Sequence, residues 1–281
     1  MLRIAVPNKG TLAGPAVEML REAGYRQRAD SRELVCRDEP NRVEFYYLRP
    51  RDIATYVGSG DLDLGITGRD LLVDAGAPAE EILDLDFGHA TFRFATRPET
   101  LSSLDELNGL RIATAYPGLV HRHLAERGIR ADVIRLDGAV ENAIRLGLAD
   151  VVADVVSTGA TLRQAGLVMV GEPVLHSSAV LIRPTAMPAN PQVDQLVRRL
   201  QGVLVARQYV MLAYDVRADL LDRATTLTPG IESPTISPLH REGWVAVQAM
   251  VRRSEVHRIM DELYDLGARA ILVTNIHACR L

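Results

Sequence analysis

Cysteine and aromatic residues are scarce in this sequence: two cysteines, one tryptophan and 5% aromatics in 281 residues. Cys36 and Cys279 stand apart and show no metal-ligand or redox spacing, so both are expected as reduced thiols. No uninterrupted apolar run approaches the roughly 18 residues that a bilayer span needs. The N-terminal end lacks a basic segment followed by an apolar stretch and a small-residue cleavage site. These absences lead to the expectation of a cytoplasmic protein with no membrane contact. An excess of basic charge is also missing: the net charge is −4 and the pI about 6.0. A nucleic-acid binder would usually carry a basic stripe, so no nucleic-acid partner is expected. An anionic small molecule remains open, because a few well-placed cations suffice for it.

With 47% hydrophobic residues, the chain has ample material for packed cores. Its length suggests about two domains, or three small ones. Strand patterns at 2–6, 43–48, 62–66, 111–116, 133–136 and 151–156 alternate with helical patterns near 17–24, 69–75, 119–127 and 140–146. Ser103 with Glu106 gives a capping-box signal for another helix start. Such alternation predicts an α/β fold with a mostly parallel sheet covered on both faces. Gly60-Asp61-Leu62-Asp63-Leu64-Gly65-Ile66-Thr67 can be laid on Gly147-Leu148-Ala149-Asp150-Val151-Val152-Ala153-Asp154. The match fits two unrelated helix–turn–strand junctions, and equally two lobes of similar build facing across a cleft. Ligands of open α/β sheets sit outside the carboxyl ends of strands, where Thr67 and Asp154 would lie. After a proline-marked loop at 184–191 and a helix over 193–207, the tail orders as strand, helix, strand, strand, helix, strand. That is the ferredoxin-like βαββαβ motif. With no constellation of catalytic type, it suggests a regulatory or assembly module.

The strongest local signal is Asp154-Val155-Val156-Ser157-Thr158-Gly159-Ala160-Thr161-Leu162. A buried strand runs into a turn rich in hydroxyls, and a helical segment follows. Backbone N–H groups at a helix start, with small side chains that allow close approach, make an anion cradle. The same residues also fit a plain helix cap. Lys9, Arg49 and Arg51 sit at predicted strand ends and would supply cations, although exposed cations are usually just solvated. Asp137 and Glu141 flank another strand-to-helix turn. His121 and His123, two apart on one helix, do not share a face and are expected to face solvent. Trp244 and Phe45-Tyr46-Tyr47 read as core or subunit contacts.

Residues 154–162 closely resemble the loop that binds phosphoribosyl pyrophosphate (PRPP) in the ATP phosphoribosyltransferase family. The resemblance runs along the chain through Val6-Pro7-Asn8-Lys9-Gly10, Tyr47-Leu48-Arg49-Pro50-Arg51-Asp52, Leu64-Gly65-Ile66-Thr67-Gly68-Arg69-Asp70, Leu136-Asp137-Gly138-Ala139-Val140-Glu141 and Thr228-Pro229-Gly230-Ile231-Glu232-Ser233-Pro234-Thr235. It implies a two-lobed, periplasmic-binding-protein-like (type II) catalytic part: lobe I over 1–90 plus 181–208, lobe II over 91–180. A C-terminal ferredoxin-like, ACT-like regulatory domain would follow over 209–281. The implied reaction joins ATP to PRPP, releases pyrophosphate and opens histidine biosynthesis under feedback inhibition by histidine. On this resemblance Ser157, Thr158, Gly159, Ala160 and Thr161 take the 5-phosphate, while Asp154 and Glu141 hold the ribose hydroxyls. Lys9 and Arg49 act on the pyrophosphate with Mg²⁺, which substrate phosphates would mainly hold. Asp70 and Tyr116 are expected at the nucleotide. Asp215, Thr235 and the backbone at Ala270 are expected to bind the histidine effector, in a homo-oligomer that forms dimers and hexamers. Two alternatives remain. One is a type I, purine-salvage-like phosphoribosyltransferase, against which Ala153 stands where a second acid would precede the loop. The other is a non-catalytic solute-binding or sensor protein.

Overall fold

The structure, a computed structural model, describes residues 1–280. By internal contacts the chain divides into two units, Met1–Arg21 with Tyr25–Gln192, and Glu22–Gly24 with Val193–Leu281. The helix over 191–208, expected with lobe I, thus groups with the C-terminal module.

The first unit holds two sheets. The chain lays down β1 (Leu2–Pro7), α1 (Ala13–Glu22), β2 (Val35–Asp38), β3 (Val43–Leu48), α2 (Pro50–Gly58), β4 (Leu64–Gly68), α3 (Arg69–Ala75) and β5 (Ala79–Asp84). It then crosses into β6 (Ala90–Thr96), β7 (Arg111–Thr114), α4 (Pro117–Arg127), β8 (Asp132–Arg135), α5 (Asn142–Arg145), β9 (Val151–Val156), α6 (Ala160–Gln164) and β10 (Val168–Ser177). Finally β11 (Ala179–Pro184) returns to the first sheet. The sheet orders are β2-β3-β1-β4-β11-β5 and β10-β6-β9-β7-β8.

The sheets are mixed, which corrects the expectation of mostly parallel ones. β1 is parallel to β3 and β4, and β7 to β8 and β9. The two strands that carry the chain between lobes, β6 and β11, insert antiparallel beside β9 and β4. Leaving out β2, the two sheets are the same five-strand pattern, the type II arrangement of periplasmic binding proteins.

The short repeat seen in the sequence is therefore real, and it extends to atoms. Asp63 Oδ2 accepts the backbone N–H of Arg3 at 2.7 Å, and Asp150 Oδ2 that of Arg111 at 3.0 Å. Each arginine also pairs its guanidinium with that aspartate and reaches a glycine carbonyl, Gly60 or Gly147. Both glycines turn at positive φ, +80° and +72°, which glycine adopts without steric cost. Each aspartate thus ties the start of one central strand to the start of its parallel neighbour.

Burial follows the sheet order. Every residue of β4 is buried, as is Ala179–Ile182 at the head of β11, consistent with central strands covered on both faces. Phe92, Phe94, Leu107, Ile112 and Val120 form the core of the second lobe. His123 lies against that core, 8% exposed, its ring 5.6 Å from Phe94. It is not solvent-facing as expected, whereas His121 is exposed. Ser103 caps a single 3-10 turn by accepting from Asp105 N, but Glu106 turns to Ser102 rather than closing a capping box. Phe45 and Tyr47 are core residues; Tyr46 and Trp244 are half-buried. Both cysteines are free.

In the second unit, α7 (Pro191–Gln208) is followed by β12 (Tyr209–Arg217), α8 (Leu221–Leu227), β13 (Thr235–Pro238), β14 (Trp244–Arg252), α9 (Val256–Leu266) and β15 (Arg269–Asn275). The sheet order β13-β14-β12-β15, antiparallel throughout, is the ferredoxin-like one. Val210, Leu212, Tyr214 and Val216 pack with Ile259 and Leu263 of α9. Tyr209, Met211, Ala213 and Asp215 alternate onto the other face.

Candidate functional site

Two cavities adjoin in the first unit, at the carboxyl ends of strands from both lobes. One, of about 180 Å³, is lined by Lys9, Pro50, Gly68, Asp70, Tyr116, Val155, Ser157 and Ser177 among others. The second, of about 230 Å³, is lined by Glu141, Asp154 and the run from Val155 to Leu162. Val155 and Ser157 border both. The pairing of β1 with β4, and of β7 with β9, brings these residues together from distant parts of the chain.

The hydroxyl-rich turn forms a cradle, though not as a strong helix terminus. Gly159 sits in the left-handed region at φ +70°, and α6 spans only Ala160–Gln164. So short a helix adds little dipole, and the donors are chiefly the loop amides and the exposed hydroxyls of Ser157, Thr158 and Thr161. The Arg163 guanidinium folds back over the turn: a Cβ at Gly159 would sit 3.0 Å from its Nη1.

Asp154 lies two residues before the end of β9, and Val155 N–H donates to its Oδ1 at 2.8 Å. Burial pushes its carboxyl up to about 6, and Glu141 and Asp70 reinforce this while the Val155 amide and Arg51 oppose it. Its ionised form is thus held at a cost.

Asp70 is buried, and the Ser177 hydroxyl donates to its Oδ1 at 2.6 Å and accepts from its backbone N–H at 3.1 Å. Burial, then the charges of Asp70 and Asp154, hold the Tyr116 phenol well above its usual range. Tyr116 packs edge-on against Phe92. Arg51 lies 5.0 Å over the Tyr116 ring and pairs with Asp74 at 2.9 Å.

Of the residues singled out in the sequence, Lys9, Asp70 and Tyr116 line the first cavity, and Glu141, Asp154, Ser157, Thr158, Gly159, Ala160 and Thr161 the second. Lys9 is the only lysine in the chain. Arg49 is exposed at the start of α2 and lines neither cavity; Arg51 is the arginine drawn into the network. Ser177 and Asp74 carried no local signal, since their partners lie far along the chain. Asp215 sits on β12 opposite Ala246, and Thr235 is exposed two strands away on β13. Ala270 takes a left-handed φ of +50° where β15 slips register beside Asp215. Among the described residues, no three His, Cys, Asp or Glu side chains converge as a metal cage.

Comparison with known proteins gives consistent results. The family model described as ATP phosphoribosyltransferase matches residues 49–202, and the one for the HisG C-terminal domain matches residues 206–278. An ATP phosphoribosyltransferase of Salinispora tropica is 75% identical over 281 residues, covering all of both chains. One from Streptomyces avermitilis is 64% identical over 285 residues, again covering all of both. Among solved structures, the ATP phosphoribosyl transferase (HisG:HisZ) complex from Thermotoga maritima aligns with a TM-score of 0.61 at 23% identity. That alignment covers 72% of this chain and 96% of the other, and shows a shared fold.

Proposed function

The chain belongs to the ATP phosphoribosyltransferase family, and on that premise we propose that its two adjoining cavities hold the two substrates of the family reaction. The chain is a pentosyltransferase acting at the first step of histidine biosynthesis. The type I phosphoribosyltransferase and solute-binding alternatives fall with that assignment. In the reaction, adenine N1 of ATP attacks the anomeric carbon of PRPP, and the carbon–oxygen bond to pyrophosphate breaks. No covalent enzyme intermediate is involved, so positioning and charge stabilisation are what the chain must supply.

The 5-phosphate takes the Ser157–Thr161 cradle. Asp154 and Glu141 accept from the ribose hydroxyls, and the nucleotide lies on the Asp70–Tyr116 side. Lys9 and Arg49 act on the pyrophosphate. The observation that carries this reading is Asp154, a partly buried carboxylate bordering the cradle and facing Glu141 and Asp70. Mg²⁺ would arrive on the substrate phosphates, where it neutralises leaving-group charge. The described residues offer no cage of their own for it.

Histidine is the proposed inhibitor of the C-terminal module, with Asp215 taking its amino group and Thr235 and the Ala270 backbone completing the pocket. The irregular pairing beside Ala270 supports this by leaving main-chain groups outside the ladder near Asp215. Dimers and hexamers are the proposed assemblies, and the cytoplasm the proposed compartment.

Pyrophosphate release from purified protein with ATP, PRPP and Mg²⁺, with and without millimolar histidine, tests these points together. Release that requires both substrates and falls with histidine is expected. Amine-selective labelling of Lys9, the chain's single lysine, should slow when PRPP is bound. Release that ignores histidine would overturn the regulatory role; no release from folded protein would overturn the substrate assignment.

A further inference from the structure

α4 begins without a cap of its own. Tyr116 occupies the N-cap position and makes no side-chain cap bond, and Pro117 follows at the first helical position. Helix starts of this kind leave amides that need an acceptor. Leu119 N–H, at the third helical position, finds one in the other lobe: Asp74 Oδ1 of α3, at 3.1 Å. The same carboxylate takes Arg51 Nη1 on its Oδ2 at 2.9 Å, and its side chain is only 9% exposed. The lobes approach so closely here that a Cβ at Gly118 would lie 2.1 Å from the Asp74 carbonyl oxygen. Arg51 in turn lies over Tyr116, which lines the first cavity with Asp70.

We infer that Asp74 is a positioning residue for the nucleotide side of the site, capping α4 from the opposite lobe and holding Arg51 against Tyr116. One carboxylate thereby fixes three things: the start of the helix that carries Tyr116, the guanidinium above that ring, and the separation of the lobes along this edge. A negative group at a helix start is also favoured by the helix dipole. Asp74 borders neither cavity, so it acts through Tyr116 and Arg51 and not on substrate. The inference rests on the assignment of the Asp70–Tyr116 side to ATP.

The full-length protein is tested as Asp74→Ala, Asp74→Asn and Gly118→Ala. Asparagine keeps an oxygen for Leu119 N–H and loses the charge facing Arg51. The Gly118 methyl forces the helices apart and leaves Asp74 intact. Small displacements of positioned groups cost large factors, so KM for ATP should rise about tenfold in Asp74→Ala and Gly118→Ala. It should rise less in Asp74→Asn, while KM for PRPP stays within about twofold in all three. A role confined to stability would lower the melting temperature and leave the KM for ATP where it was; that result overturns the inference. Hydrogen exchange at the Leu119 amide gives a readout independent of activity, with faster exchange expected in Asp74→Ala than in the native protein. If the native protein releases no pyrophosphate, the substrate assignment fails and exchange alone decides: equal rates would overturn the cap, and faster exchange in the variant would uphold it.

Discussion

Replacing Asp154 by asparagine should make the protein more stable and less active, and the stability gain should depend on pH in a defined way. The carboxyl moves from 3.8 to about 6 on folding, so the fold favours its protonated form. At about 1.36 kcal/mol per unit, ionised Asp154 costs the native state about 3 kcal/mol once the pH is well above 6. The sign follows from proton binding: between the two values the native state holds the proton more often, so native stability falls as pH rises through that window. Asparagine, which does not titrate, removes this loss. Linkage makes the variant's advantage roughly twice as large at pH 8, about 3 kcal/mol, as at pH 5. For a chain of this size a widening of about 1 kcal/mol corresponds to roughly 2–4 °C in Tm. Thermal melts of both proteins at pH 5, 6, 7 and 8 measure it, and the differential cancels any fixed gain or loss from the amide itself. A Tm gap that stays constant, or narrows with rising pH, would refute the reasoning. Activity should move the other way. Losing a charged acceptor for the ribose hydroxyls costs about 1.5–3 kcal/mol, so kcat/KM for PRPP should fall roughly 10- to 100-fold. In the native enzyme kcat/KM should rise with pH through about 6 as Asp154 ionises.

His123 is buried with no partner for its Nε2, and burial holds its pKa below 6.5. Native stability should therefore be lost as pH falls below 6.5, where only the unfolded state takes the proton. His123→Leu should raise the urea midpoint at pH 7.5, by an amount equivalent to about 1 kcal/mol, and raise it more at pH 5.5; a smaller gain at pH 5.5 would contradict this. In the C-terminal module, Asp215→Ala should leave turnover without histidine near normal and weaken histidine inhibition about tenfold or more, read from inhibition curves. Unchanged inhibition would remove Asp215 from the pocket.

What was legible in the sequence was whatever local chemistry encodes. The cradle at Ser157–Thr161, the helix after Thr67-Gly68 and the βαββαβ order of the tail each follow from residues within a few positions of one another. The lobe repeat was legible as well, and more strongly than the glycine–aspartate pattern suggested. Leu2-Arg3-Ile4-Ala5 and Leu110-Arg111-Ile112-Ala113 are identical, and their arginines make the equivalent pairs to Asp63 and Asp150. The antiparallel placement of β6 and β11 was hidden because it depends on which lobe each crossing strand joins, a matter of long-range pairing. The burial of His123 was hidden because helical spacing alone does not say which face meets the core.

The same distinction separates the site residues that were found from those that were missed. The cavity-lining groups sit in short motifs at strand ends, so Lys9, Asp70, Glu141 and Asp154 stand out. The groups that hold them in place are distant in sequence: Ser177 is 107 residues from Asp70, and Asp74 is 45 from Leu119. Arg49 and Arg51 show how motif position alone misleads, since two residues of separation turn one guanidinium to solvent and the other onto Tyr116. In a two-lobed enzyme the motifs supply the chemistry from each lobe. The contacts that register the lobes against each other come from tertiary structure, which makes Asp74 and Ser177 the positions where substitution would separate positioning from chemistry.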